Sequence, residues 1–364
     1  MNMKPTSVKF NHDLNKEFTK TIKSRVNEYF AKKNVDKHGN LNMVFKSIFM
    51  FALFYVPYFL IMTETVTSTL PVLALWGVIG TGMAGIGLSI MHDANHGAYS
   101  KFPIVNKVMG LSMDLVGGSA RLWKLQHNVL HHTYTNVAGV DEDVEGPPIL
   151  RFTPHHEHMK IHKYQHIFFP FLYGLMTFGW IIWKDFLQVF RFNRKGLISD
   201  QELTKDVLTI IAWKAFYFGY ILIVPIFVLD LPVGTTLLGF LVLHFVCGLI
   251  LSFIFQLAHV MPDVDFPLPN DESIIESNWA IHQLRTTANF SQKSRLFSWY
   301  VGGLNYQVEH HLFSGICHVH YRHISKIIKA TAEEFKVPYH AHGSFLKAIG
   351  AHYRVIRAFG RTPS

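Results

Sequence analysis

Four long apolar runs dominate the alternation of hydrophobic and polar positions. They lie at about Val44–Met62, Pro71–Ile90, Val207–Leu229 and Val233–Ala258. Each approaches the roughly 20 residues that a helix needs to cross a bilayer, so each predicts a membrane span. A fifth run, Ile167–Trp183, is shorter and carries Trp180 and Trp183 at one end. A sixth, Phe102–Val116, is too short to cross and predicts a helix lying on the same surface. After Met261 the chain turns polar, with Pro262, Pro267 and Pro269, and predicts a mostly helical cap.

Charge orients these runs. Ten Lys and Arg residues stand between Lys4 and Lys46, whereas Thr63–Leu70 has none. Cytoplasmic loops hold the excess of positive charge, which places the amino terminus in the cytoplasm. The loop Met91–Gln165 carries seven more basic residues and the connection Asp230–Pro232 carries none, so both short connections face outward. If Ile167–Trp183 also crossed, the basic carboxyl-terminal region would be exported. That run therefore predicts a re-entrant or interface-lying helix with its tryptophans at headgroup level. The expected fold is an all-α membrane protein of four transmembrane helices with a cytoplasmic helical cap.

Composition agrees and narrows the function. The chain is 49% hydrophobic and only 16% charged, against about 25% charged in soluble domains. The formal charge of +9 is spread along segments flanking the apolar runs, which points to anionic lipid and not to nucleic acid. Cys247 and Cys317 form no CxxC pair and cannot build a disulfide framework. The first 46 residues hold no apolar core of a cleavable signal peptide. Histidine is the outlier: 23 residues, far more than packing needs, of the side chain that most often binds metals.

The histidines cluster. His92 and His96 stand in HDANH directly after the second run, where a spacing of four puts both on one helix face. HNVLHH holds His127, His131 and His132, the first two again sharing a face. QVEHH holds His310 and His311, with Gln307 three residues before the first, and His259 follows the fourth run at once. The predicted topology brings all four groups to one cytoplasmic rim. Eight imidazoles and one amide exceed what a single tetrahedral zinc can use, so two metals are implied. Nitrogen ligands without thiolates suit iron, zinc or copper, and affinity order does not choose among them. A lone HxxxH is common on amphipathic helices; the joint occurrence of HxxxH, HxxxHH and QxxHH on one side carries the ligand reading.

Other polar residues divide by context. His155, His156, His158, His162 and His166 lie in the charged segment PHHEHMKIHKYQH, where a solvated face is expected, and His318, His320 and His323 lie in a basic, polar run. His282, in NWAIHQLRTTANF, is a candidate ligand or a neighbour of one. Asp93, Asp141, Glu142, Asp143 and Glu309 are candidates to accept the outer N–H of ligating imidazoles, although a solvated loop is expected for Asp141–Asp143. Arg285, Lys293 and Arg295 read as surface charge.

At its histidine clusters the sequence resembles the membrane fatty acid desaturase family, whose signature is three histidine boxes. They stand here as His92–His96, His127–His132 and Gln307–His311, within MHDANHGAYS, HNVLHHTYTN and GGLNYQVEHHLF. The likeness runs from about Val44 to His323, which divides the chain into a cytoplasmic segment 1–43, a desaturase domain 44–323 and a cytoplasmic tail 324–364. It implies a di-iron centre held by His92, His96, His127, His131, His132, His310 and His311, with His259 matching an additional histidine that such enzymes take from the fourth helix. Gln307, Asp93, Glu309 and His282 would act through a water or by orienting an imidazole. The resemblance also implies O2 as co-substrate and a fatty acyl substrate, either acyl-CoA or a membrane lipid.

Glutamine at Gln307 is similar to the front-end subgroup, which inserts a double bond between an existing one and the carboxyl end. Many of those enzymes carry a fused cytochrome b5 domain with an HPGG motif, which is not found in this sequence. A separate electron donor is implied, such as ferredoxin or cytochrome b5 with its reductase. Two other functions fit parts of the pattern. A di-iron membrane hydroxylase would use the same site. A multi-pass metal-binding transporter predicts ionisable residues inside the spans, where the apolar runs offer few: Asp206 and Lys214 near an entrance, and His244 in the last.

Overall fold

The computed structural model describes residues 8–11 and 14–362, so Lys4 lies outside it. Helix α1 (Lys16–Lys33) precedes the first membrane helix, α2 (Leu41–Met62), and the second, α3 (Thr69–Asn95). Then come α4 (Pro103–Gly110), a helical stretch α5 (residues 120–134), and a pair bent by 59°, α6 (Lys160–Gly174) and α7 (Met176–Arg194). The third and fourth long apolar helices are α8 (Asp200–Val228) and α9 (Val233–His259). The cap follows as α10 (Trp279–Thr286), α11 (Gln307–Leu312), α12 (Tyr321–Glu334) and α13 (Phe345–Phe359). Two short parallel strand pairs complete it: β1 (Lys9–Phe10) with β2 (Ile274–Ile275), and β3 (Ala288–Phe290) with β4 (His340–His342).

The four expected spans are thus present, and the helices run beyond the apolar runs for local reasons. Asn40 caps α2 by accepting from the backbone N–H groups of Asn42 and Met43. Ser199 and Glu202 form a capping box that starts α8 about two turns before its apolar run. Helix α3 continues through Ile86–Met91 with the wider π spacing, which carries His92 on the same helix as the membrane span. Glycines let the spans approach: a Cβ at Gly80 would lie 2.3 Å from the Leu243 carbonyl oxygen, and one at Gly82 would lie 2.6 Å from the Phe54 nitrogen.

The bent pair returns to the side from which it came. The backbone N–H of Asp230 donates to Glu64 Oε1 at 2.5 Å, so the connections after α2 and after α8 lie at one end of the bundle. Only an even number of crossings between them permits this, and α3 and α8 already supply two. Lys214 of α8 holds the bend in place: its Nζ lies 2.8 Å from Asp185 Oδ2 and donates to the carbonyls of Gly117 at 3.0 Å and Trp180 at 3.2 Å. Helix α4 exposes Ile104 and Val108.

Both ends of the chain pack into the cap. Phe18, Ile22 and Val26 of α1 are buried with Ile324 and Ile328 of α12, and Arg25 pairs with Glu334 at 2.7 Å. Val355 and Ile356 of α13 join Phe169, Tyr173 and Val260 in a second apolar cluster.

Candidate metal centre

All eight candidate imidazoles meet at one end of the bundle. His92 and His96 close α3, His259 closes α9, and α5 and α11 bring the rest beneath the cap. Their nitrogens fall into two groups within which every chosen atom lies within 4.8 Å of the others: His92, His96, His127 and His310, and then His131, His259 and His311. His132 sits against the first group, its Nε2 3.2 Å from His127 Nε2 and 2.9 Å from His310 Nε2.

His127 and His131 share a face as expected, their rings stacked with centroids 5.1 Å apart, yet their metal-facing nitrogens fall into different groups. Lys124–His131 takes the wider π spacing, which keeps His127 and His131 on one face and also brings His132 Nε2 within 3.2 Å of His127 Nε2. His131 is left to face His259 and His311, with ring centroids 4.6 and 4.9 Å away. The adjacent pair His310 and His311 is divided in the same way.

Five of the eight outer ring nitrogens are anchored. His131 Nδ1 lies 3.0 Å from Asp141 Oδ2, His127 Nδ1 3.4 Å from Asp143 Oδ2, and His310 Nδ1 3.1 Å from the Tyr321 hydroxyl. His311 Nδ1 donates to Gln283 Oε1 at 2.8 Å, and His259 Nδ1 to the Thr286 carbonyl at 3.3 Å. With Nδ1 carrying the proton, each Nε2 presents a lone pair. The Nε2 atoms of His96, His131, His259 and His311 are buried without any hydrogen-bond partner. This arrangement fits metal: ligands about 2.0–2.1 Å from one ion stand roughly 3.0–3.4 Å apart, close to the 2.9–3.3 Å between the Nε2 atoms of His92, His127, His132 and His310.

Electrostatics favour neutral rings. Burial, then the neighbouring imidazoles, holds His127, His132, His310 and His311 well below the ordinary histidine range. His131 moves the other way, since burial is outweighed by the Asp141 and Asp143 carboxylates.

Several surrounding residues differ from expectation. Asp141 is fully buried and Glu142 nearly so, which corrects the solvated loop. The loop folds inward because its carboxylates are taken: Asp141 accepts from the backbone N–H of Asn136 at 2.8 Å, Glu142 from Arg191 at 2.7 Å and Lys195 at 2.8 Å, and Asp143 from Gln126. Glu142 and Glu309 reach no imidazole; Glu309 accepts from Tyr339 at 2.7 Å and Asn289 at 2.8 Å. Asp93 lies 3.9 Å from His92 Nδ1 and accepts from His318 Nδ1 at 2.8 Å, and His318 Nε2 lies 2.5 Å from Lys46 Nζ. His318 and His320 are therefore buried and not part of an open polar run.

His162 is buried, its Nε2 2.9 Å from the Pro148 carbonyl, whereas His155 and most of the PHHEHMKIHKYQH segment are exposed, as expected of a solvated face. His282 is buried with Nε2 unpartnered, edge-on to Phe10 at 5.0 Å, outside both imidazole groups. Gln307 is buried in α11. Arg285, Lys293 and Arg295 are exposed, as expected. Gln283, Thr135 and Tyr321 carry no motif that marks them in sequence, yet each lies against an imidazole.

A helical membrane bundle whose capped end gathers two sets of imidazoles defines a membrane-bound metalloprotein. The comparison of sequences gives the family: the profile described as Fatty acid desaturase matches residues 68–343, and the chain belongs to that family. It is 34% identical over 349 residues to the sn-1 linoleoyl-lipid 6-desaturase of Synechocystis sp., covering 94% of this chain and 96% of that protein. It is 37% identical over 350 residues to the sn-1 linoleoyl-lipid 6-desaturase of Arthrospira platensis, covering 95% and 93%. It is 36% identical over 358 residues to the acyl-lipid (8-3)-desaturase of Physcomitrium patens, covering 96% of this chain and 72% of that protein. The protein is a fatty acid desaturase, an oxidoreductase of lipid metabolism.

Proposed function

We propose that this desaturase acts on acyl chains carried by membrane lipids, is of the front-end type, and uses two irons and O2. Its substrate class rests on the relatives, whose names specify linoleoyl-lipid and acyl-lipid substrates. Position 6 of a linoleoyl chain lies on the carboxyl side of the existing double bonds, which is the front-end pattern, and Gln307 in the third box agrees with it. The metal assignment rests on one observation above the others: seven histidine rings from four separated segments gather their nitrogens into two close groups, with His132 Nε2 against the first.

In this reading His92, His96, His127, His132 and His310 serve one metal, and His131, His259 and His311 the other. When bound, the metal pair supplies the oxidising power, drawn from O2 and two external electrons, that removing hydrogen from an unactivated methylene requires. The chain's own part is positional. Asp141, Asp143, Tyr321 and Gln283 hold the rings by their outer nitrogens, while Trp123, stacked on His127 at 4.4 Å, and Phe255, 5.2 Å from His131, keep water from the rings. The site lies at the end opposite the uncharged connections, which the charge rule assigns to the cytoplasm. There a separate ferredoxin, or cytochrome b5 with its reductase, delivers the electrons.

Expression in a host with a defined fatty acid pool, followed by mass spectrometry that locates double bonds, tests this reading. A new cis double bond on the carboxyl side of an existing one, in intact lipids, is the expected product. A hydroxylated acyl chain, or unchanged lipids with reductant supplied, would overturn it.

A further inference from the structure

We propose that α10, which contributes no ring to either imidazole group, is the template for the second group, and that Gln283 is its positioning residue. The inference rests on the two-metal reading above. Gln283 is fully buried. Its Oε1 accepts from His311 Nδ1 at 2.8 Å and from the Thr135 hydroxyl at 2.8 Å, while its Nε2 donates to the His132 carbonyl at 3.1 Å. One turn earlier, Trp279 Nε1 donates to that same carbonyl at 3.1 Å. At the far end of the helix the Thr286 carbonyl accepts from His259 Nδ1 at 3.3 Å and from Asn136 Nδ2 at 3.3 Å.

A two-turn helix therefore touches the second box, the third box and the end of α9 at once. These segments are far apart in the chain, and nothing local sets their spacing. Helix α10 is itself fixed: Asn278 caps it through the Ala280 N–H at 2.9 Å and accepts from Thr19 of α1 at 2.9 Å.

The chemistry of an amide suits the position. A carbonyl oxygen 2.8 Å from His311 Nδ1 demands a proton there and leaves the lone pair on Nε2, the atom that is buried and unpartnered. A hydrocarbon of the same size would leave Nδ1–H only the longer contact to the Thr135 hydroxyl at 3.3 Å and hold the ring less firmly. The first group takes its outer bonds elsewhere, His127 from Asp143 and His310 from Tyr321. Gln283 thus reaches a ring of the second group alone, and touches the first only through the His132 backbone carbonyl.

The test compares wild-type protein, Gln283→Leu and Gln283→Glu, each full length in detergent, by iron per chain, ferrous titration of stripped protein and Mössbauer spectroscopy. Glutamate keeps an acceptor for His311, and Trp279 still serves the His132 carbonyl. Loss of about one of two irons in Q283L, a roughly 10–100-fold weaker second site and recovery of both irons in Q283E are expected. Wild-type iron affinity and spectrum in Q283L would overturn the proposal, as would loss of both irons together. If Q283L does not fold, Q283E decides: a folded Q283E lacking the second iron overturns it. Wild-type protein that binds no iron would overturn the metal reading itself, and this proposal with it.

Discussion

Replacing Asp141 with asparagine isolates the charge that holds His131. The carboxylate is fully buried and accepts four bonds: His131 Nδ1 reaches its two oxygens at 3.0 and 3.1 Å, and the backbone N–H groups of Asn136 and Asp143 lie at 2.8 and 3.0 Å. Asparagine keeps the volume and one acceptor oxygen but loses the charge and gains a donor. Charge-assisted bonds are about twice as strong as neutral ones, and a typical neutral bond contributes about 1 kcal/mol, so the substitution costs the ligand roughly 1–2 kcal/mol. That is about 10-fold in affinity, the lower end of the 10–100-fold found when the partners of ligating histidines are removed. Ferrous titration of stripped protein should show one of two sites weakened by this factor, with acyl desaturation falling alongside. The metal-free melting temperature should fall modestly, because the amide nitrogen replaces the oxygen that one of the two buried backbone N–H groups needs. Unaltered iron affinity and activity in D141N would refute the reasoning. Asp141→Ala is a harsher variant, since it strands two buried N–H groups at about 1–3 kcal/mol each, and should lower the melting temperature further.

Three further outcomes follow from other parts of the fold. His352 of α13 is fully buried, with Nδ1 2.8 Å from the Val260 carbonyl and Nε2 2.8 Å from the Tyr173 hydroxyl, and burial pulls its pKa to about 4. Between that value and the unfolded pKa of about 6.5 the unfolded chain binds the extra proton, so this contribution is full above pH 6.5 and is lost as pH falls toward 4. It amounts to about 3 kcal/mol, and H352Q should flatten the pH dependence of unfolding in that window; an unchanged slope would refute it. Lys214→Met should destabilise by about 3–5 kcal/mol because it leaves the buried Asp185 uncompensated, and adding Asp185→Asn should recover most of the loss in thermal unfolding. Gly80→Val should lower the melting temperature more than Gly77→Val, since the nearest atom to a Cβ at Gly77 is a methyl group 3.8 Å away whereas Gly80 meets a backbone carbonyl at 2.3 Å.

What the sequence made legible is local. Spans are long one-dimensional patterns, and the histidine boxes are short ones, so both could be read directly, and charge then placed them on a common rim. The re-entrant bend was legible for the same reason, because the charge of short loops constrains parity, and the Glu64 to Asp230 contact bears it out. The grouping of rings was not legible. Ideal helical spacing puts His127 with His131, and their rings do stack, but periodicity does not say which of the two groups each nitrogen joins.

The ring partners were hidden for a different reason. Asp141, Asp143 and His318 lie in segments whose polarity matches ordinary solvent-facing loops, and only the closing of the cap turns them inward. A polar residue at a loop position is consistent with two opposite environments, and which one it occupies depends on whether the fold offers it a complete set of donors and acceptors. Asp141 finds such a set through His131 and two backbone N–H groups; Asp93 finds it through His318, beyond which lies Lys46. Charge that looks like solubility in the sequence is therefore spent on aiming imidazoles. A buried carboxylate left without these donors would be costly enough to reopen the loop, so the cap and the metal centre hold each other in place.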